Sequence, residues 1–287
     1  MYLLLIASIL FASCNSILLH RLRLPSAAAV YRLNLVSALV WLTCLLTLNG
    51  FRITPSRTSL LFGLVYGVTQ ALFILFKSLA MNRGPISVTA LFGNGSLFLS
   101  VAVCYFAFGE PITLGDAIGL LLLFAAILLS TYKRTAGGDE APRRGWLLFS
   151  LLFLALGAGV GISFKAFAGA DGGSAGDMMC IAAAVMVLFF LPLYLAARGK
   201  AGRSMGEDMR RFIPLAVASG LLSCLYNRLN ISLSGALAAT IFFPFFNGGV
   251  ILLTALCGVA LTREKLTLRK ATGLLLGILA IAVIGVF

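Results

Sequence analysis

Four cations stand inside otherwise apolar stretches of the chain: Arg32, Lys77, Lys165 and Arg228. An ionisable side chain at membrane depth costs a few kcal/mol on insertion scales, so by default it faces an interior cavity or a partner. The nine acids do not share that setting. Glu110, Asp116, Asp139, Glu140, Asp171, Asp177, Glu207, Asp208 and Glu264 all fall in connections or at helix ends. A cavity lined by Lys or Arg without an offsetting carboxylate holds a positive potential, which selects an anionic or zwitterionic ligand and disfavours a cationic one. Snorkelling is the competing reading, because Arg32, Lys77 and Lys165 lie near helix ends and can reach a headgroup layer. Arg228 is flanked by Tyr226-Asn227 and by the polar ladder Asn230 and Ser232, and it stands evenly between facing a cavity and packing.

The second signal is a matched pair of polar interruptions. Gly93-Asn94-Gly95-Ser96 lies near the middle of one apolar run, and Pro244-Phe245-Phe246-Asn247-Gly248-Gly249 lies at the corresponding depth of another. Loosened backbone at matched positions of two halves is a pointer to a midplane binding site. Glycines also serve close helix packing, and single ones are read that way here. For Asn94 and Asn247 a ligand-facing or helix-bridging role is expected. Asn15 and Gln70 are lone polar residues, for which helix-to-helix hydrogen bonds and substrate contact are equally good explanations. The candidate substrate-binding residues are therefore Asn15, Gln70, Lys77, Asn94, Tyr226, Asn227, Arg228 and Asn247. The aromatic group Phe242, Phe243, Phe245 and Phe246 reads as packing, Glu110 and Glu264 as capping or pairing with a nearby cation, and His20 as a headgroup contact.

Enzymatic chemistry finds little footing. No His/Asp/Glu cluster has metal-ligand spacing, there is no Gly-x-Ser-x-Gly elbow or P-loop, and no two carboxylates share an apolar run. No catalytic residue, metal or cofactor is expected. The six cysteines, Cys14, Cys44, Cys104, Cys180, Cys224 and Cys257, fall in different apolar runs without paired spacing and read as small core residues, forming neither disulfides nor a metal site.

The elements that must position these residues are long apolar helices. Of 287 residues 61% are hydrophobic and 11% charged, with a mean hydropathy of +1.06, which excludes an ordinary soluble globule. The net charge of +13 would suit a nucleic-acid binder, but the basic residues sit in short tracts between apolar runs, so no nucleic-acid partner is expected and the lipid bilayer is. Apolar runs fall near 2–19, 27–48, 58–81, 86–108, 113–132, 146–169, 177–197, 212–231, 235–260 and 269–287. A helical span needs about 20 apolar residues, which makes ten spans and leaves no room for a further domain. The first run lacks a basic leader and is expected to be a retained span.

The polar stretch from Lys133 to Arg144 divides five helices from five, giving halves 1–132 and 146–287 joined by a central loop 133–145. Gly109-Glu110-Pro111 and Gly119-Leu120 in the first half answer Arg263-Glu264-Lys265 and Gly273-Leu274 in the second at a separation of 154 residues. Upstream, Ser78-Leu79 and Gly84-Pro85-Ile86-Ser87 answer Arg228-Leu229 and Ser234-Gly235-Ala236-Leu237 at 150. The difference is close to one helical turn, so helix faces keep their register. An odd number of spans per half inverts one copy against the other, and the expected fold is all-α with two inverted five-helix repeats. Odd-numbered connections carry sixteen of the 22 Lys and Arg and even-numbered ones carry Arg52 and Arg57, which by the positive-inside rule puts both termini outside.

This pattern resembles the drug/metabolite transporter superfamily, specifically its ten-helix EamA type, over essentially the whole chain. The matching features are the duplicated five-helix unit, Tyr31-Arg32-Leu33, the Ser78-to-Val88 joint between helices 3 and 4, and the Gly109-Glu110-Pro111 and Arg263-Glu264-Lys265-Leu266-Thr267 junctions. Where the family often carries a Trp-Gly pair in helix 1, this chain has Phe11-Ala12-Ser13-Cys14-Asn15. The resemblance implies a secondary transporter that moves a small metabolite by alternating access through a central cavity, and export of an anionic or zwitterionic metabolite is the favoured expectation. Members export amino acids and related metabolites, and nucleotide-sugar and triose-phosphate carriers among the relatives handle anions. It also implies both termini in the cytoplasm, opposite to the charge count, and orientation stays open. The expected partners are a small-molecule substrate and the lipid bilayer, with a homodimer left open and a bacterial plasma membrane as the location. The contrasting class is a non-transporting membrane protein, such as a lipid-handling or assembly factor, because fold alone does not fix function.

Overall fold

The computed structural model describes residues 1–21, 27–84, 86–131, 143–198, 209–262 and 268–286. Ten α-helices make up the secondary structure of the described residues: α1 (Tyr2–Arg21), α2 (Ala27–Leu48), α3 (Arg57–Met81), α4 (Ile86–Phe108), α5 (Leu114–Thr131), α6 (Trp146–Ala168), α7 (Ala175–Arg198), α8 (Met209–Ala236), α9 (Ala239–Thr262) and α10 (Leu268–Val286). Eight are long and apolar enough to cross a membrane, while the apolar parts of α5 and α10, Leu114–Leu129 and Ala271–Ile284, are shorter. Most of the central loop and the Arg263–Thr267 junction with Glu264 lie outside the described residues.

Helix ends follow local chemistry. Ser56 begins α3 by accepting the Ser59 amide hydrogen at 3.0 Å, and Ser174 does the same for Asp177 of α7 at 3.3 Å. Before α5 the arrangement is reciprocal. The Asp116 carboxylate accepts from the Thr113 amide at 2.9 Å, and the Thr113 hydroxyl accepts from the Asp116 amide at 3.0 Å, a capping box that satisfies two orphan donors at once. Replacing Asp116 by alanine is expected to cost about 1 kcal/mol of stability, read as a lower detergent-unfolding midpoint. The largest departure from the sequence expectation is α8, which runs through Ser232, Ser234 and Gly235 to Ala236. The polar run that reads as a break is absorbed because Ser234 donates to the Ile231 carbonyl at 3.0 Å and the Asn230 side-chain oxygen accepts from the Ser8 hydroxyl at 2.6 Å.

The helices gather into two compact units that interleave the chain. The first comprises Met1–Ala71 and Ala166–Gly235, and within it α2 packs along α7. Here α3 meets α7 at Gly63 and Gly67, where an added Cβ would stand 2.8 Å from the Met178 carbonyl oxygen and 2.9 Å from the Ala182 Cα respectively. Only glycine allows backbones that close, the small-xxx-small device of membrane helices. The second unit comprises Leu72–Lys165 and Ala236–Phe287. In it α5 packs along α10 and α4 against α9. At the α3–α4 connection the Arg143 amide donates to the Arg83 carbonyl at 2.8 Å, and the Arg83 guanidinium lies 4.6 Å from the Phe149 ring centroid.

Candidate functional site

In the first unit a polar seam follows one face of α8. Ser219, Ser223, Asn227, Asn230 and Ser234 recur at three- and four-residue spacing, the period of a helix face. Ser219 donates to the Asn15 side-chain oxygen of α1 at 2.6 Å, the Trp41 indole of α2 donates to Ser223 at 3.0 Å, and Ser8 donates to Asn230 at 2.6 Å. The Tyr66 hydroxyl of α3 donates to Asn227 at 3.3 Å, while the Asn227 amide donates to the Ser223 carbonyl at 2.8 Å. Asn15 and Asn227 are thus engaged in bridging helices. Asn227→Leu, which removes the hydrogen bond from the buried Tyr66 hydroxyl, is expected to cost about 1 kcal/mol, read in an unfolding titration.

Gln70 lies one turn beyond Tyr66 on α3. It is 9% exposed, and its buried side-chain oxygen has no hydrogen-bond donor among the described residues. Tyr226 and Arg228 flank Asn227 and are half-buried, and the Tyr226 carbonyl accepts from Ser8 at 3.4 Å. Five of the eight candidate residues, Asn15, Gln70, Tyr226, Asn227 and Arg228, therefore belong to the first unit, and Lys77, Asn94 and Asn247 to the second.

In the second unit α4 and α9 carry the two asparagines. Both side chains are half-buried, and Asn247 donates back to the Phe243 carbonyl of its own helix at 3.0 Å. The backbone around them is not loosened as the sequence pattern implies. Both helices run unbroken through Gly93-Asn94-Gly95-Ser96 and through Pro244 to Gly249. The glycines are used for packing: a Cβ at Gly93 would stand 2.6 Å from the Phe153 ring, and one at Gly248 3.2 Å from Leu123. A helix tolerates such a glycine at about 1 kcal/mol relative to alanine, which close packing offsets.

The four embedded cations separate into two kinds. Arg32 is buried and stacks its guanidinium 3.8 Å from the Phe212 ring centroid. Lys165, at the end of α6, forms an ion pair with Glu110 at 2.5 Å and donates to the Leu237 carbonyl at 2.7 Å; the two side chains are only 12% and 19% exposed. The other Glu110 oxygen accepts from the Ala239 amide at 2.6 Å, so a single carboxylate neutralises Lys165 and caps the first turn of α9. Glu110 thus both pairs with a cation and caps a helix, the role its junction position implies, and Lys165 does not lack a compensating carboxylate. The signal was present in the sequence, since the α4–α5, α6–α7 and α8–α9 connections are all even-numbered and share one side of a multi-span bundle. Lys77 and Arg228 are of the other kind. Both are half-buried, and neither has a hydrogen bond or ion pair among the described residues.

The described cysteines are free thiols, and Cys44 and Cys224 lie close enough to interact. No group of three His, Cys, Asp or Glu side chains with metal-binding geometry occurs among the described residues.

No family model matches the chain, and no curated protein matches its sequence. Its fold is known, because 29 chains of solved structures match it. One protein of known crystal structure superposes with a TM-score of 0.75 over 98% of this chain and 94% of its own, at 14% sequence identity, a likeness of architecture alone.

Proposed function

We propose that the chain is a secondary transporter of the EamA type that carries a small anionic or zwitterionic metabolite, such as an amino acid or an organic anion, out of the cell by alternating access. The observation that carries this reading is the division of the embedded cations. Arg32 and Lys165 are engaged by an aromatic ring and a carboxylate, whereas Lys77 and Arg228 stand half-buried within apolar helices with no partner among the described residues. A chain does not hold two such charges in hydrocarbon without return, and a negatively charged cargo supplies the counter-charge. Gln70, with its unanswered oxygen, in the first unit, and Asn94 and Asn247 in the second, add a neutral hydrogen-bonding group to each unit.

The pairing of helices five apart supports the same reading. The partners α2 with α7, α4 with α9 and α5 with α10 are each five helices apart, which is what a duplicated unit yields when its copies pair like with like. On this view α5 and α10 complete ten spans; the 18 residues of α5 make a helix of about 27 Å, close to the hydrocarbon thickness. The test is counterflow into liposomes bearing the purified protein and preloaded with unlabelled amino acids or organic anions. Saturable uptake of the labelled compound from one of these classes is expected, and uptake of cations alone, or none that saturates, would refute the reading.

A further inference from the structure

Two thiols that stand 180 residues apart in sequence meet inside the first unit, Cys44 on α2 and Cys224 on α8. Their meeting follows from how these helices cross. A Cβ at Gly220 would stand 2.9 Å from the Val40 Cβ and 3.1 Å from the Ser37 Cα, so the two backbones approach as closely as glycine permits. One step further along both helices the Trp41 indole donates to Ser223 at 3.0 Å. The contacts advance in the same direction on each helix, and the next facing positions, one turn beyond Val40 and Gly220, are Cys44 and Cys224. There the two thiols are within hydrogen-bonding reach. Cys224 is 1% exposed and Cys44 is half-buried. Arg228, one turn beyond Cys224, lies near enough for its charge to act on that sulfur. Cys180 of α7 is also close but is buried and takes a weak hydrogen bond from the Asn49 amide at 3.8 Å.

We propose that Cys44 and Cys224 are a redox-active dithiol that a peroxide converts into an intramolecular disulfide, stapling α2 to α8. Cys44, the more accessible of the two, attacks hydrogen peroxide; the O–O bond breaks, one water leaves, and Cys44 becomes a sulfenic acid. The Cys224 sulfur then attacks the Cys44 sulfur, the S–O bond breaks, and the hydroxyl departs with the Cys224 proton as a second water. Two thiols lose two electrons and one peroxide gains them. The small neutral oxidant suits a half-buried group, and the contact between the thiols makes Cys224 the resolving partner ahead of Cys180.

The experiment treats the full-length protein in detergent micelles and in liposomes with hydrogen peroxide, then denatures it, counts free thiols with a maleimide and maps peptides by mass spectrometry. The expected result is four maleimide-reactive thiols in place of six, an intact mass lower by two hydrogens, and a Cys44–Cys224 peptide that dithiothreitol releases. Cys180→Ser and Cys257→Ser should keep the cross-link, while Cys44→Ser and Cys224→Ser should each abolish it. A disulfide mapping to any other pair, six thiols surviving treatment, or Cys44 advancing to sulfinic acid without a cross-link would overturn the proposal. The wild-type measurement alone decides this even if a serine variant fails to fold.

Discussion

Glu110→Gln lowers the unfolding free energy by about 3 kcal/mol or more, the largest stability loss expected of any single surface-to-junction substitution in the chain. Glutamine is nearly isosteric and still offers an oxygen to the Ala239 amide, so the cap on α9 survives and the loss isolates the charge. What remains is Lys165, 12% exposed, with a cation held by the Leu237 carbonyl alone. Removing one member of a buried pair costs more than the pair contributes, because the other charge is left desolvated. Lys165→Met therefore destabilises in the same direction, and the double variant Glu110→Gln/Lys165→Met loses distinctly less than the sum of the two. The comparison is made by reversible unfolding of the reconstituted protein in a denaturing detergent, and additivity of the two losses would show that the ion pair carries no coupling.

The second large effect falls on transport. Arg228→Ala and Lys77→Ala are each expected to reduce flux of the anionic or zwitterionic substrate about 10- to 100-fold at subsaturating concentration, since a charge-assisted hydrogen bond is worth about 1.5–3 kcal/mol. Neither residue has a partner to lose among the described residues, so neither change should lower stability by more than a few tenths of a kcal/mol. This dissociation of flux from stability distinguishes them from Glu110 and Lys165. Arg228→Lys should retain part of the flux, because the charge remains while the planar fork is lost. Unchanged flux in both alanine variants would separate the cargo from the cations and remove the charge argument.

Helix positions were largely legible because the hydrocarbon requirement writes itself into composition: α2 spans Ala27–Leu48 and α4 Ile86–Phe108, the ranges that apolar runs alone define. The end of α8 is hidden from a linear reading because Asn230 and Ser234 look like a break, yet Asn230 accepts from Ser8 of α1 and Ser234 donates to its own helix. The matched glycine stretches of α4 and α9 suggest loosened backbone, whereas the neighbours Phe153 and Leu123 fill the space a side chain would take. Both facts depend on which helix lies opposite, information that spacing along one chain does not contain. The Lys165–Glu110 pair is the intermediate case. Its members lie 55 residues apart, but connection parity already places them on one side, and a cation beside a junction carboxylate follows from that alone. Cys44 and Cys224 had no such clue, since their meeting rests on a glycine crossing at Gly220.

The interleaving of the units adds a point that a simple division of the sequence does not convey. Residues 1–71 associate with 166–235, and 72–165 with 236–287, so each compact body draws from both halves of the chain. Truncation after the central loop divides both bodies and should leave neither half stably folded.

The central claim is that water and a charged solute reach mid-helix polar groups of this membrane protein. It is tested most directly by placing single cysteines at positions 94, 228 and 247 of a variant with its six native cysteines replaced, and exposing sealed vesicles to a membrane-impermeant thiol reagent from each face in turn. The account predicts that all three positions react from one face or the other, at rates that fall when the transported anion is present. Failure of all three to react from either face, in a protein that still folds, would contradict it.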